Sequence, residues 1–166
     1  QEHAVDHTVP ILVRVRPAKR TVYTGGVSFG SDSGAGVQGG ITRRWLNARG
    51  HRASGRMEIS QRLNSLGGQY VIPLPGADRQ SYVMSLSYRD ETTDTSTQKV
   101  SNLLIARQLE HEHGSLAYGI GAQSGDFEVG ELPGSSTLVY PEARWTRRLT
   151  DDFLNPTQGW SLSAEA

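Results

Sequence analysis

The sequence predicts an all-β fold, an antiparallel transmembrane β-barrel, from three observations. The first is alternation. Tyr82, Met84, Leu86 and Tyr88 alternate with Ser81, Val83, Ser85 and Ser87. Met57 and Ile59 alternate with Arg56, Glu58, Ser60 and Arg62, and Trp160, Leu162 and Ala164 with Ser161, Ser163 and Glu165. A period of two means strands with two different faces. The second is the character of the polar face, which is rich in Gly, Ser and Arg and so reads as wet. An apolar outside around a wet inside is the pattern of a transmembrane barrel. The third is composition: hydrophobic residues are only 36% and glycines number 19. That is too little for a thick two-sided core and enough for strands with one apolar face.

The elements follow in order. Residues 1–7 are polar. Val9 to Arg16 alternates, with Ile11, Val13 and Val15 on one face, until Pro17 stops it. Pro17 to Arg20 reads as a short linker. Tyr23 to Phe29 is the next strand, with Tyr23, Val27 and Phe29 opposite Thr24, Gly26 and Ser28. Gly30–Gly34 is a tight polar turn. Gly36 to Leu46 returns, with Val37, Ile41 and Trp45 on one side, and Asn47–Gly50 turns again. Further strands are expected at about Arg52–Leu63, Gln69–Leu74, Gln80–Thr92, Thr97–Leu109, Ser115–Gln123, Thr137–Arg148 and from Gly159 onward. That makes nine antiparallel strands after the linker. Lys99 to Leu109 suits a helix or a strand in length.

Alternating strand directions sort the turns onto two rims. Asn47–Gly50, Pro75–Asp78, Glu110–Gly114 and Thr150–Gln158 share one; Gly30–Gly34, Asn64–Gly67, Glu91–Ser96 and Ser124–Ser136 share the other. Trp45, Trp145 and Trp160 all lie beside the first rim. An indole has an apolar ring and a polar N–H, so it favours the membrane–water boundary. The three are read as a membrane-interface girdle in contact with outer-membrane lipid.

The rest of the composition narrows the function. Formal net charge is zero, so no global field points to nucleic acid. With no cysteine, disulfides, thiolate metal sites and a Cys nucleophile are excluded. No run of 18 apolar residues exists, so no transmembrane helix is expected. Ala166 falls inside an alternating run, so the chain is expected to be a piece of a longer protein.

Several short stretches add a resemblance. Gly26-Val-Ser-Phe-Gly-Ser-Asp-Ser-Gly34 followed by Arg44-Trp-Leu-Asn-Ala-Arg-Gly-His51 resembles the first hairpin of TamA barrels. Tyr88-Arg-Asp-Glu-Thr-Thr-Asp94, Thr137-Leu-Val-Tyr-Pro141 and Asn155-Pro-Thr-Gln-Gly-Trp160 continue it. The likeness is to the BamA/TamA-like outer-membrane assembly factors and runs from about Val9 onward. It implies three periplasmic POTRA domains before a barrel of about sixteen strands. Residues 1–20 would be the end of the third POTRA domain and the linker, with Val9–Arg16 its last strand. Residues 21–166 would be the N-terminal part of the barrel. It also implies a location in the Gram-negative outer membrane with the N-terminal residues in the periplasm. The implied partners are a TamB-like inner-membrane protein and autotransporter-type client proteins.

An assembly factor needs a seam that opens. The candidate client-pairing edge is Tyr23, Thr24, Gly25, Gly26, Val27, Ser28 and Phe29, because Gly25-Gly26 weakens a strand and leaves its register poorly pinned. A client strand could add to it through main-chain hydrogen bonds. The same glycines could equally relieve crowding at a tilted strand. Other constellations are weaker. His111 and His113 with Glu110 and Glu112 fit a solvated turn better than a metal site. Asp32 with Ser31 and Ser33 has too few acids for a Ca²⁺ loop. Gly119 and Gly121 precede no helix, so a phosphate cradle is not expected. Arg43, Arg44, Arg147 and Arg148 near the tryptophan rim could meet lipid phosphates or simply be solvated. Arg56, Glu58 and Arg62 are expected to form a lumen charge cluster. No catalytic, metal or cofactor site is expected. A passive outer-membrane pore is the alternative; an outer-membrane phospholipase would need a Ser–His pair that is not found. A soluble lipocalin-like barrel would need large side chains pointing inward, so the membrane reading depends on Tyr82, Met84, Leu86 and Tyr88 looking out.

Overall fold

A computed structural model describes residues 19–31, 34–76, 79–129, 132–150 and 158–166. The expected strand Val9–Arg16 and the turn at Asp32 lie outside the described residues. Nine strands form one open sheet: β1 (Thr21–Gly30), β2 (Gly34–Arg43), β3 (Arg52–Ser60), β4 (Leu63–Leu74), β5 (Arg79–Thr92), β6 (Ser96–His111), β7 (Gly114–Val129), β8 (Leu132–Thr150) and β9 (Gly159–Glu165). Spatial order equals sequence order, and every neighbour is antiparallel. Among the described residues there is no helix. The ambiguous stretch Lys99–Leu109 is strand, paired on both sides.

Several boundaries differ from expectation, and the first is that β2 ends at Arg43, so Trp45 and Leu46 lie beyond the strand expected to hold them. Asn64–Gly67 is not a turn but part of β4; the chain reverses at Gln61–Arg62 instead. Ser60 makes that reversal, its hydroxyl donating to the Leu63 carbonyl at 2.9 Å and accepting from the Leu63 N–H at 3.0 Å. Ser124–Ser136 is likewise no long loop. β7 runs on to Val129, which pairs with Leu132 of β8. In both places Gly and Ser mute the alternation, yet the ladder continues because cross-strand pairing, not side-chain hydropathy, holds it.

Register carries one face across the whole sheet. Tyr23 meets Ile41, Met57 meets Leu66, Tyr70 meets Met84, Leu86 meets Leu103, and Ile105 meets Ile120. On this face Tyr82, Met84, Leu86 and Tyr88 are between 40% and 60% exposed, so they are not packed in a dry interior. The opposite face carries Thr24, Gln38, Arg56, Glu58, Gln69, Ser85, Asn102 and Gln123, and on β6 to β8 also the larger Leu104, Phe127, Leu138 and Tyr140. The most buried apolar side chains, Val83 at 5% and Ala106 at 8%, sit opposite one another on this polar face. Side chains are thus packed most tightly on the polar side, while large side chains of the apolar side stay open.

Three prolines sit inside strands, Pro133 near the start of β8 opposite Glu128 and two others deeper in the ladder. The bond from Thr92 N–H to Arg62 O at 2.8 Å sets which residues of β4 bond β5. Pro73 belongs to the other set and faces β3 at the level of Gly50, before β3 begins. The reciprocal bonds between Ala143 and Ala166, both 2.9 Å, set the phase of β8 in the same way. They direct the Pro141 nitrogen past Ala166. Neither missing N–H costs a bond between described strands.

Candidate functional site

Among the described strands β1 pairs only with β2, so its other side is an edge of the described sheet. The Arg44 N–H donates to the Arg20 carbonyl at 2.9 Å. Hydrogen-bonded pairs alternate in an antiparallel ladder. Val22, Thr24, Gly26 and Ser28 therefore aim their backbone groups at β2, and Tyr23, Gly25, Val27 and Phe29 aim theirs outward. The outward set is the set whose side chains lie on the apolar face. Tyr23, Val27 and Phe29 are 76%, 85% and 86% exposed. A strand added here would gain a row of main-chain partners and an apolar side-chain surface together.

Crowding does not account for Gly25 on this edge. A Cβ on Gly25 would come no closer than 3.9 Å to the Gln38 carbonyl oxygen. One on Gly26 would meet the Gln38 Nε2 at 3.0 Å, the far end of a side chain that can move. Crowding lies on β2 instead: a Cβ on Gly40 would stand 2.6 Å from Thr24 Oγ1, and one on Gly36 2.8 Å from Ser60 Cβ.

Trp45, Trp145 and Trp160 lie at one end of the sheet. Trp45 follows β2, with the Arg20 guanidinium 5.5 Å from its ring centre. Trp145 is on β8 opposite Leu116 and Ala164, and Trp160 on β9 opposite Leu149. Pairing brings further aromatic residues to this end that sequence reading missed. Tyr70 stands on the apolar face, its hydroxyl 2.7 Å from His51 Nδ1 and its ring edge-on to that imidazole at 5.6 Å. Tyr82 and Tyr118 flank Arg107 on the same face. Counting parity along β6 could have found Arg107, because it falls in series with Leu103, Ile105 and Leu109. The other end carries Phe29 and Tyr88, and beyond them polar pairs: Tyr88 Oη to Asp90 at 3.4 Å, and Lys99 to Asp90 at 3.6 Å.

On the polar face Thr42, Arg52, Ser54, Gln69, Arg79 and Gln108 contribute to the lining of a trough of about 670 Å³. Arg56, Glu58 and Arg62 do not make one cluster. Arg62 lies in the β3–β4 turn and pairs with Asp94 at 2.8 Å, because β3 ends at Ser60. Arg43 and Arg147 share the apolar face with Trp145, whereas Arg148 lies on the polar face opposite Ser161. His111 ends β6 and His113 stands in the following turn, its carbonyl accepting from the Arg148 N–H at 2.8 Å. Among the described residues no group of three His, Cys, Asp or Glu could hold a metal ion. Gly119 and Gly121 are inside β7, not before a helix. No helix among the described residues is long and apolar enough to cross a membrane, which bears only on helical spans. Set against models of known protein families the chain matches none, and set against curated proteins it again matches none.

Proposed function

We propose that this chain is the N-terminal part of a TamA-type outer-membrane assembly factor, which passes autotransporter-type β-barrel clients into the membrane at its first strand. The open side of the sheet faces lipid, and the polar side faces a water-filled lumen. Residues 1–20 end a POTRA domain and lead into the barrel from the periplasm, where a TamB-like protein is the inner-membrane partner. The work is mechanical, not enzymatic. In hydrocarbon an unpaired N–H or C=O costs several kcal/mol, so a free edge there draws in any strand that can pair with it.

The observation that carries the reading is the phase of β1: its outward backbone groups belong to Tyr23, Gly25, Val27 and Phe29, whose side chains lie on the apolar face. Band height is consistent with it. Gln80 and Asp90 bracket the apolar run of β5; ten residues at about 3.4 Å each, tilted by about 40°, rise about 26 Å, close to the apolar band of outer-membrane barrels.

The test is disulfide trapping. Ser28 lies between outward-bonding residues, so a client residue opposite it would form a close, non-hydrogen-bonded pair with Cα atoms about 4.5 Å apart, within disulfide range. Ser28→Cys should crosslink to a cysteine in a client's terminal strand far better than Ser65→Cys in interior β4. Equal yields at the two positions would overturn client pairing at β1. The polar trough favours one second reading, a passive pore. Steady conductance in planar bilayers without any client crosslink at position 28 would select it.

A further inference from the structure

Arg107 is a cation on the face that otherwise carries Leu103, Ile105, Tyr82, Tyr118 and Ile120. Its Nη2 donates to Gln80 Oε1 at 2.6 Å, its Nη1 reaches Tyr118 Oη at 3.4 Å, and its guanidinium carbon lies 5.9 Å from the Tyr82 ring centre. Nε is enclosed and meets no protein acceptor. Every one of these partners is neutral, and among the described residues no carboxylate pairs with Arg107. The acids of this face all stand at the far end of the strands, Asp90 and Asp126 opposite Lys99 and Glu128 opposite Thr97. The next residues of the same series toward the near rim are Leu109, Leu116 and Trp145. Arg107 thus lies one step inside the tryptophan.

A guanidinium at that depth needs an anion. An isolated charge in hydrocarbon is expensive, and a long cationic side chain lowers that cost by reaching to the interface. Gln80 and Tyr118 satisfy hydrogen-bonding capacity without neutralising the charge. Two of the five N–H groups are engaged, and the enclosed Nε leaves Nη1 and Nη2 to meet an outside acceptor. Planar guanidinium matches two oxygens of a phosphate. We propose that Arg107, held by Gln80, Tyr82 and Tyr118, binds the phosphate of a phospholipid headgroup at the membrane interface on the Trp145 side of the sheet. The inference rests on the reading that the apolar face meets lipid.

The experiment uses the chain in dodecyl maltoside micelles, with phosphatidylglycerol titrated in and bound lipid counted by native mass spectrometry. Insertion into phosphatidylcholine–phosphatidylglycerol vesicles is followed separately by protease protection. Arg107→Met should insert like the parent chain but bind one phosphatidylglycerol about tenfold or more weakly, as loss of a charge-assisted hydrogen bond predicts. Gln80→Glu keeps the arginine and supplies a competing carboxylate, so it should lose the same lipid. Millimolar inorganic phosphate should not displace it. Normal insertion with unchanged lipid affinity in both variants overturns the Arg107 site and leaves the membrane reading standing. Displacement by inorganic phosphate overturns the headgroup as its ligand. Failure of the parent chain to insert overturns the membrane reading, and the lipid site falls with it.

Discussion

Gly25 and Gly119 show how differently one residue type acts in this sheet. Gly25 has open space around it, with its nearest neighbour atom 3.9 Å from a would-be Cβ. Gly119 is pressed against β6, where a Cβ would come within 2.7 Å of Ala106 Cα and 2.8 Å of its Cβ. Valine at position 25 should therefore fold normally, with stability unchanged or raised by about 0.5–1 kcal/mol, since a glycine inside a strand costs that much. It should also lower crosslinking at Ser28→Cys, because a stiffer edge opens less. Thermal unfolding in detergent and crosslink yield, read on one protein, check both halves. A Gly25→Val chain that unfolds much earlier than its parent would show that the glycine serves packing after all. The glycine pair was legible in the sequence as a weak point. The freedom of Gly25 from crowding was not, because that depends on Gln38, thirteen residues away in the chain and on the neighbouring strand.

At the scale of the element, the hairpin of β7 and β8 holds its glycines under aromatic rings. Gly121 pairs with Tyr140, whose Cε2 would stand 2.6 Å from a Cβ there, and Gly134 pairs with Phe127, whose ring covers it. The rings fill what the glycines leave bare and pin the register of a long hairpin. Gly121→Val must displace the Tyr140 ring, so it should destabilise the folded chain by about 1–3 kcal/mol, the usual cost of overpacking. Gly67→Val meets nothing within 4 Å and should stay within about 0.5 kcal/mol of the parent. Urea unfolding in detergent distinguishes them, and equal losses would refute ring-over-glycine packing. Strand existence was legible throughout, because each strand keeps its own period of two. The ends at Leu63, Val129 and Leu132 were not. Asn64, Ser65, Asp126 and Gly134 look like turn residues and are strand only because a partner is already in place.

Among the described residues the molecule is one sheet with nothing packed on its apolar side. β1 and β9 are odd-numbered in a fully antiparallel order, so they run in the same direction and cannot close on each other by antiparallel pairing. Two open edges and an uncovered apolar face are hazards in water. The chain should therefore aggregate in aqueous buffer and become monomeric, with a cooperative thermal transition, only in detergent or lipid. Light scattering and circular dichroism in both conditions decide it; a cooperative, monomeric transition in plain buffer would refute the reading. The ion pairs Arg62–Asp94, Arg89–Glu91 and Arg144–Glu165 are solvent-exposed. They add little to stability and do not alter that expectation.

The sequence by itself determined that the described residues make two-faced strands, nine of them, with tryptophans gathered at one end. Side-chain alternation is a property of the extended backbone and needs no partner to be read. Tertiary structure alone decided where the strands end, where side chains are most buried, and which backbone groups of β1 are left outward. It also decided that Arg107 stands among Gln80, Tyr82 and Tyr118. The physical reason is register: a ladder joins residues such as Gln80 and Arg107, 27 positions apart, and no local pattern carries information about that distance.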